Sequence, residues 1–115
     1  MQNIKETKIK EVLKNIKEKI LKSLKGLGIE VKRIILFGSR ARGDFSKSSD
    51  YDFLIVTEKT FTVKEKMEIA KKIRVALAEF YIPADIIIKS EEELEIFRHR
   101  IGTVTREALK EGVEI

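Results

Sequence analysis

The sequence of 115 residues contains no cysteine and no tryptophan, and it has a single proline. Without cysteine there is no disulfide framework, no thiolate nucleophile and no cysteine-based zinc site. No stretch approaches the ~20 apolar residues of a membrane span, and the first residues alternate charged with single apolar side chains, unlike a secretion signal. These absences predict a cytoplasmic protein with no membrane partner.

The chain is rich in charge of both signs. Charged residues make up 37% of it and hydrophobic residues 43%, and the net charge is +5. This composition is typical of a folded chain, and the length suits a single domain, residues 1–115, with one core. A basic chain can bind nucleic acid, but lysines and glutamates are interspersed throughout. We therefore favour a solvated mixed surface, as in proteins from hot environments, over a nucleic-acid patch.

Hydrophobic spacing predicts the order helix, strand, strand, helix, strand, helix, helix. The first helix carries apolar residues at helical spacing from Ile9 to Leu24. Three apolar runs are typical of buried strands: 31–37, 51–56 and 85–89. The order predicts an α/β (α+β) fold in which helices pack on a small mixed sheet.

Three further helices are expected after the second strand. Thr62 can cap the first of them, and Ser90 with Glu93 forms a capping box for the next. The last is expected over 103–111 and ends at Gly112. The helix after Thr62 is expected to bury one apolar face, consisting of Val63, Met67, Ala70, Ile73, Leu77 and Phe80.

Three aspartates stand at strand starts. Asp50 and Asp52 are two residues apart and therefore point to the same face of their strand, where they repel each other unless a cation lies between them. Asp85 opens the isoleucine-rich third strand. Magnesium prefers carboxylates together with substrate phosphate oxygens, so the three aspartates are candidate metal ligands. The alternative is that they are solvated residues at strand ends, and Asp85 taken alone favours that alternative.

A glycine-containing basic loop separates the first two strands. Gly38-Ser39 stands where the first strand ends, and its backbone N–H groups and hydroxyl can hold phosphate oxygens. Arg40 and Arg42 add positive charge to the same loop. No Gly-Lys-Ser/Thr follows, so this is not a P-loop, and the glycine spacing is not that of a dinucleotide-binding fold.

These residues together resemble a known family. Gly38-Ser39, ten intervening residues and then Asp50-Tyr51-Asp52 match the Gly-Ser-x10-Asp-x-Asp signature of the DNA polymerase β nucleotidyltransferase superfamily. The string GSRARGDFSKSSDYDFLIV is similar to its minimal members, many of which are antitoxins paired with HEPN-domain ribonuclease toxins. The resemblance implies the palm-like nucleotidyltransferase fold.

The resemblance also implies residue roles. Gly38 and Ser39 would contact the β- and γ-phosphates of ATP, with Arg40 and Arg42 also nucleotide-binding. Asp50 and Asp52 would bind two Mg²⁺ ions, and Asp85 would complete the metal site that activates the incoming hydroxyl. The implied activity is transfer of AMP from ATP to a hydroxyl on a partner HEPN toxin, which makes the chain a protein adenylyltransferase and an antitoxin.

Two other function hypotheses stay open at this point. One is a catalytically inactive antitoxin that acts by binding alone, and the other is a nucleic-acid-binding module that uses the lysine-rich first helix. His99 and Arg106 lie on charged helices without an obvious chemical partner, so we interpret them as surface residues.

Overall fold

The computed structural model describes residues 4–100 and 103–115 of the chain. Its elements, in order, are α1 Ile4–Lys25, β1 Val31–Phe37, α2 Ser39–Arg42, β2 Tyr51–Thr57, α3 Val63–Ala78, β3 Ala84–Ser90, α4 Glu91–Phe97, α5 Val104–Glu111 and β4 Val113–Glu114. Every helix and strand expected from the sequence is present. The single turn α2 and the two-residue strand β4 are additional.

The strands form one mixed sheet in the order β3-β2-β1-β4. Strand β1 is antiparallel to both β2 and β4, and β2 is parallel to β3, with α3 as the connection between them. The expected mixed sheet is therefore confirmed. Because β2 and β3 are parallel, both start at the same end of the sheet, and α3 is the crossover that parallel strands need.

Helices cover both faces of the sheet. On one face, α1 and α3 bury an apolar cluster that includes Ile16, Ile20, Leu24, Ile34, Leu36, Phe53, Ile55, Ile73 and Leu77. On the other face, α4 and α5 pack through Leu94 and Ala108 against Ile35, Phe37, Leu54 and Val56. Consecutive residues of β1 and β2 thus alternate between the two clusters, as the two-residue period of a strand requires.

Local signals set the helix starts. Thr62 and Ser90 each accept a hydrogen bond from the backbone N–H three residues on, and Glu65 and Glu93 complete two capping boxes. The side chain of Thr103 likewise accepts a hydrogen bond from the backbone N–H of Arg106 at the start of α5. Among the described residues, no helix has both the length and the apolar character needed to cross a bilayer.

The expected core face of α3 is partly wrong. Val63 and Met67 are 75% and 67% exposed, whereas Ile69, Ile73 and Leu77 lie against the sheet. Strand β3 is the last strand on that side, so part of the apolar surface of α3 extends past the edge of the sheet. The helix turns its more strongly apolar stripe inward and leaves the neighbouring stripe beside the edge of the sheet.

Candidate active site

The sheet register brings the three aspartates to one end of the sheet. Asp52 lies opposite Phe37 of β1 on one side and opposite Asp85 of β3 on the other. Neighbouring strands are ~4.8 Å apart, so the Asp52 and Asp85 backbones are adjacent. Asp50 stands just before β2, two residues from Asp52. Sequence spacing predicted the Asp50–Asp52 pair, whereas the position of Asp85 beside them follows from strand order.

The surroundings of Asp52 raise the free energy of its ionisation. Asp52 is partly buried, and the pKa of its carboxyl is raised, first by burial and then by the like charges of Asp85 and Asp50. Arg42 lowers this pKa by a smaller amount. Within the described part of the chain, no ion pair involves any of the three aspartates. The site end of the sheet therefore holds negative charge that the protein itself leaves largely uncompensated.

The donor set fits a hard divalent cation. Carboxylate oxygens are the ligands that magnesium prefers, and like charge around Asp52 is what a bound cation relieves. In residues 4–100 and 103–115, no three histidine, cysteine or acidic side chains are yet gathered closely enough to hold a metal ion. Asp50 and Asp85 are exposed, so rotation of their side chains can bring carboxylate oxygens toward Asp52. These three are the residues that could hold a metal.

Gly38 lies directly against Asp52. Its backbone has φ 74° and ψ −158°, a region open essentially to glycine alone. A Cβ built at this position would lie 2.2 Å from Asp52 Oδ2. The close approach therefore requires a glycine, and it places the Gly38-Ser39 turn next to the acidic group. The sequence predicted a backbone approach to a ligand here, and the structure adds an approach to the carboxylate itself.

Arg40 holds the loop that leads to Asp50. Its guanidinium donates hydrogen bonds from Nε and Nη2 to the carbonyl oxygen of Ser49, at 3.2 and 3.0 Å. The same group lies over the rings of Phe45 and Tyr51, with its Cζ 4.5 and 4.3 Å from their centroids. Arg40 is thus anchored within the protein. Sequence reasoning assigned Arg40 to nucleotide binding and missed this role, which depends on contacts nine and eleven residues away along the chain.

Arg42 links the loop to α5. Its Nε lies 3.3 Å from Asp44 and its Nη1 lies 3.2 Å from Glu111. The first contact lies within the loop, whereas the second spans 69 residues of the chain and was not expected from the sequence. Arg42 also lowers the pKa of Asp52, because its positive charge favours the ionised carboxylate.

Other charged residues lie elsewhere. His99 is exposed beyond the end of α4. Arg106 lines a separate polar surface depression with Arg33, Arg98 and Lys110. Neither residue is at the aspartate end of the sheet.

Residues 9–114 match the model of the family described as Nucleotidyltransferase domain. The chain belongs to this family. The match covers β1, the Gly38-Ser39 turn and all three aspartates, so the family relation and the geometry concern the same residues. The resemblance drawn from the Gly-Ser and Asp-x-Asp motifs is confirmed.

Two curated relatives come from Methanocaldococcus jannaschii. The protein named "putative protein adenylyltransferase MJ0141" is 44% identical over 61 residues, which are 53% of this chain and 59% of that protein. The protein named "putative protein adenylyltransferase MJ0604" is 36% identical over 83 residues, which are 71% of this chain and 75% of that protein. The chain thus matches less than two thirds of the length of MJ0141.

Solved structures share the fold. A chain of a toxin–antitoxin crystal structure with AMP-PNP has a TM-score of 0.58 at 23% identity, covering 84% of this chain and 69% of that one. A chain of the tri-AMPylated Shewanella oneidensis HEPN toxin in complex with MNT antitoxin has a TM-score of 0.53 at 19% identity, covering 88% of this chain and 69% of that one. A nucleotidyltransferase-type structure from Sulfolobus solfataricus has a TM-score of 0.58 at 25% identity, covering 90% and 76%. The expected nucleotidyltransferase fold is confirmed.

Proposed function

We propose that this protein transfers AMP from ATP to a hydroxyl group on a partner toxin of the HEPN type, and that the modification silences the toxin. The observation that carries the proposal is the group of three aspartates, which no ion pair in the described chain compensates and of which Asp52 lies directly against Gly38. The names of the two relatives and the AMPylated toxin complex that shares the fold support the same acceptor class.

In this proposal each residue has one task. The backbone at Gly38 and the hydroxyl of Ser39 hold the β- and γ-phosphates of ATP, and Arg42 adds positive charge beside them. Asp50, Asp52 and Asp85 would hold two magnesium ions. Arg40 keeps the loop before Asp50 in place and so fixes the separation between the turn and the carboxylates.

The reaction is an in-line displacement at phosphorus. The acceptor hydroxyl oxygen forms a bond to the α-phosphorus of ATP, the bond from that phosphorus to the bridging oxygen breaks, and pyrophosphate leaves. Asp85, which is exposed beside Asp52, would accept the hydroxyl proton. Bound magnesium would neutralise the triphosphate charge and make the hydroxyl more acidic. Catalysis is then mainly positioning and charge neutralisation, without a covalent enzyme intermediate.

The exposure of the site suits an acceptor carried by another molecule. Asp50 and Asp85 are both exposed, and the segment from Asp44 to Ser48 beside them is mostly exposed too. A hydroxyl on the surface of a partner protein can therefore reach the carboxylates.

The direct test is incubation of the protein with ATP labelled at the α-phosphate, magnesium and a HEPN-type toxin that it binds. We expect label on the partner, adenylate mass increments by mass spectrometry and loss of toxin activity. The Asp50→Asn, Asp52→Asn double variant should bind the partner without modifying or silencing it. A partner that is fully inhibited yet carries no adenylate would overturn the proposal and establish an antitoxin that acts by binding alone.

A further inference from the structure

A groove of about 610 Å³ runs between α3 and the outer edge of β3. Its floor consists of apolar side chains from both elements: Val63, Met67, Ala70, Ile86 and Ile88. Strand β3 is the last strand of the sheet, so in the described part of the chain its outer backbone N–H and C=O groups have no neighbouring strand. The groove therefore combines an apolar floor with an open backbone edge.

Part of the floor is exposed: Ala70 and Ile88 are buried, whereas Val63 and Met67 are 75% and 67% exposed. Val63 and Met67 are one helical turn apart, and both remain mostly exposed although Ile69 and Ile73 of the same helix are buried. A single exposed apolar residue needs no explanation, but adjacent ones that line a groove mark a contact surface.

The rim of the groove is positively charged. Lys64, Lys71 and Arg74 line it, and none of the three forms an ion pair with another described residue. Lys66 on the same wall is different, because it is paired with Glu93. Glu68 is the acidic residue among those lining the groove. Three unpaired cations around an apolar floor complement a ligand with alternating acidic and apolar side chains.

We propose that an extended acidic segment of a partner protein docks in this groove as an additional strand on β3. Its backbone would pair with the outer edge of β3, alternate apolar side chains would enter the groove, and its acidic side chains would meet the cationic rim. We take the docked protein to be the one that receives AMP, and this part of the inference rests on the proposed function. Since β3 contains Asp85 near its start, a docked strand leads directly to the aspartates.

The same features select against other occupants. A second copy of this chain carries a net charge of +5 and presents the same cationic groove, so two copies would repel. A helix would cover the apolar floor but would leave the open backbone groups of β3 unpaired. An extended acidic segment satisfies both the backbone edge and the rim.

Peptide binding to the full chain tests the proposal. The probes are a pool of ten-residue peptides that alternate Glu with Val or Ile and a matched pool in which Lys replaces Glu. We expect the acidic pool alone to bind and to slow amide hydrogen exchange in β3 without doing so in α1. The Lys71→Glu, Arg74→Glu variant should weaken this binding at least about tenfold. The Lys10→Glu, Lys14→Glu variant makes the same change in net charge on exposed residues of α1 and should bind within about twofold of the wild type.

Three results would overturn the docking proposal: equal binding of both peptide pools, equal losses in the two charge-reversed variants, or no protection of the β3 amides. The readouts also separate this proposal from the proposed function. ATP affinity, measured by calorimetry, should be unchanged in the Lys71→Glu, Arg74→Glu variant. Acidic peptides that protect β3 while the wild type fails to adenylate its partner would leave the docking site standing and refute the transferase.

Discussion

Strands β2 and β3 run side by side, and a partly buried carboxylate lies near each end of this pair. The pKa of the carboxylate is raised at one end and lowered at the other. At the starting end, Asp52 lies beside Asp85, and the pKa of Asp52 is raised by burial and by its acidic neighbours. At the far end, Thr57 lies beside Ser90, whose capping box contains Glu93. Lys66 Nζ lies 2.5 Å from a carboxylate oxygen of Glu93.

At the far end, the carboxylate of Glu93 is compensated by a cation of the protein itself. Burial alone would raise the pKa of Glu93, but the hydrogen bonds from Lys66 and from the Ser90 N–H outweigh it, so the pKa of Glu93 is lowered. The side chains of Lys66 and Glu93 are only 17% and 18% exposed, and the ion pair joins α3 to α4. The charge of Glu93 is therefore compensated without a ligand.

The contrast indicates at which end of the strand pair a bound ligand would supply missing positive charge. Glu93 has a cation of the protein within hydrogen-bond distance, whereas like charges lie side by side at the aspartate end. An acid whose pKa is raised by burial and like charges, and that has no ion-pair partner in the protein, is typical of a functional site, because the ligand supplies the missing charge. Five changes would break or sharpen this comparison.

The largest effect is expected from Asp52→Asn. Loss of the proposed metal ligand would remove several kcal/mol of transition-state stabilisation, so transfer to the proposed partner should fall at least about 100-fold. The thermal melt should be unchanged or higher, because a repelled charge is removed. Glu18→Gln, which alters an exposed acid of α1 that forms no ion pair with a described residue, is the control and should keep most of the activity. Normal transfer by Asp52→Asn under limiting magnesium would contradict the metal-site assignment.

Gly38→Ala should damage both the fold and the site. The new Cβ would overlap the Asp52 carboxylate, and the backbone conformation is strained for any residue except glycine, at a cost of about 1–3 kcal/mol. We expect a lower melting temperature together with loss of transfer. Gly28→Ala serves as control, since its φ is also positive but its Cβ would meet no atom. A melt reduced no further than in Gly28→Ala, with full activity, would refute the close contact.

Ser39→Ala should weaken ATP binding. Loss of one hydrogen bond to a phosphate oxygen corresponds to about 1.5–3 kcal/mol, which calorimetric titration with ATP and magnesium can resolve. Ser48→Ala in the same loop is the control. Unchanged ATP affinity in the Ser39 variant would mean that the backbone alone holds the phosphates.

At the far end, Lys66→Met should lower stability without affecting ATP binding. The variant leaves the Glu93 carboxylate partly buried and without its cation, which costs about 1–3 kcal/mol in the free energy of unfolding. Lys64→Met, on the same helix but without an ion pair, should change it by less than about 0.5 kcal/mol. Chemical denaturation measures both. Equal effects of the two variants would show that the Lys66–Glu93 pair contributes nothing to stability.

The smallest effects are opposite pH dependences of stability. The pKa of Asp52 is raised in the folded state, so its ionisation destabilises the fold, and Asp52→Asn should be more stable than the wild type at neutral pH. The pKa of Glu93 is lowered, so Glu93→Gln should be less stable there. Both differences should vanish as the pH falls below the pKa values of the two groups. Denaturation curves between pH 3 and 7 that show the same sign for both variants would contradict the comparison.

The groove beside β3 illustrates what periodicity left undecided. The spacing of apolar residues in α3 indicated a helix with a wide apolar arc, and it placed Val63 and Met67 in the core. The register of the sheet decided otherwise, because β3 has no strand beyond it and the helix packs through Ile69 and Ile73. Periodicity shows which residues share a face but not which of two adjacent faces meets the sheet.

The sequence by itself determined the features that depend on near neighbours. The capping boxes at Thr62 and Ser90 and the common face of Asp50 and Asp52 follow from interactions within a few residues, so spacing predicts them. Tertiary structure decided the contacts between distant segments: Asp85 beside Asp52, Arg42 bound to Glu111, and the ion pair of Lys66 with Glu93. These contacts exist because strand order and helix packing bring the groups together, and no local pattern encodes which strand lies next to which.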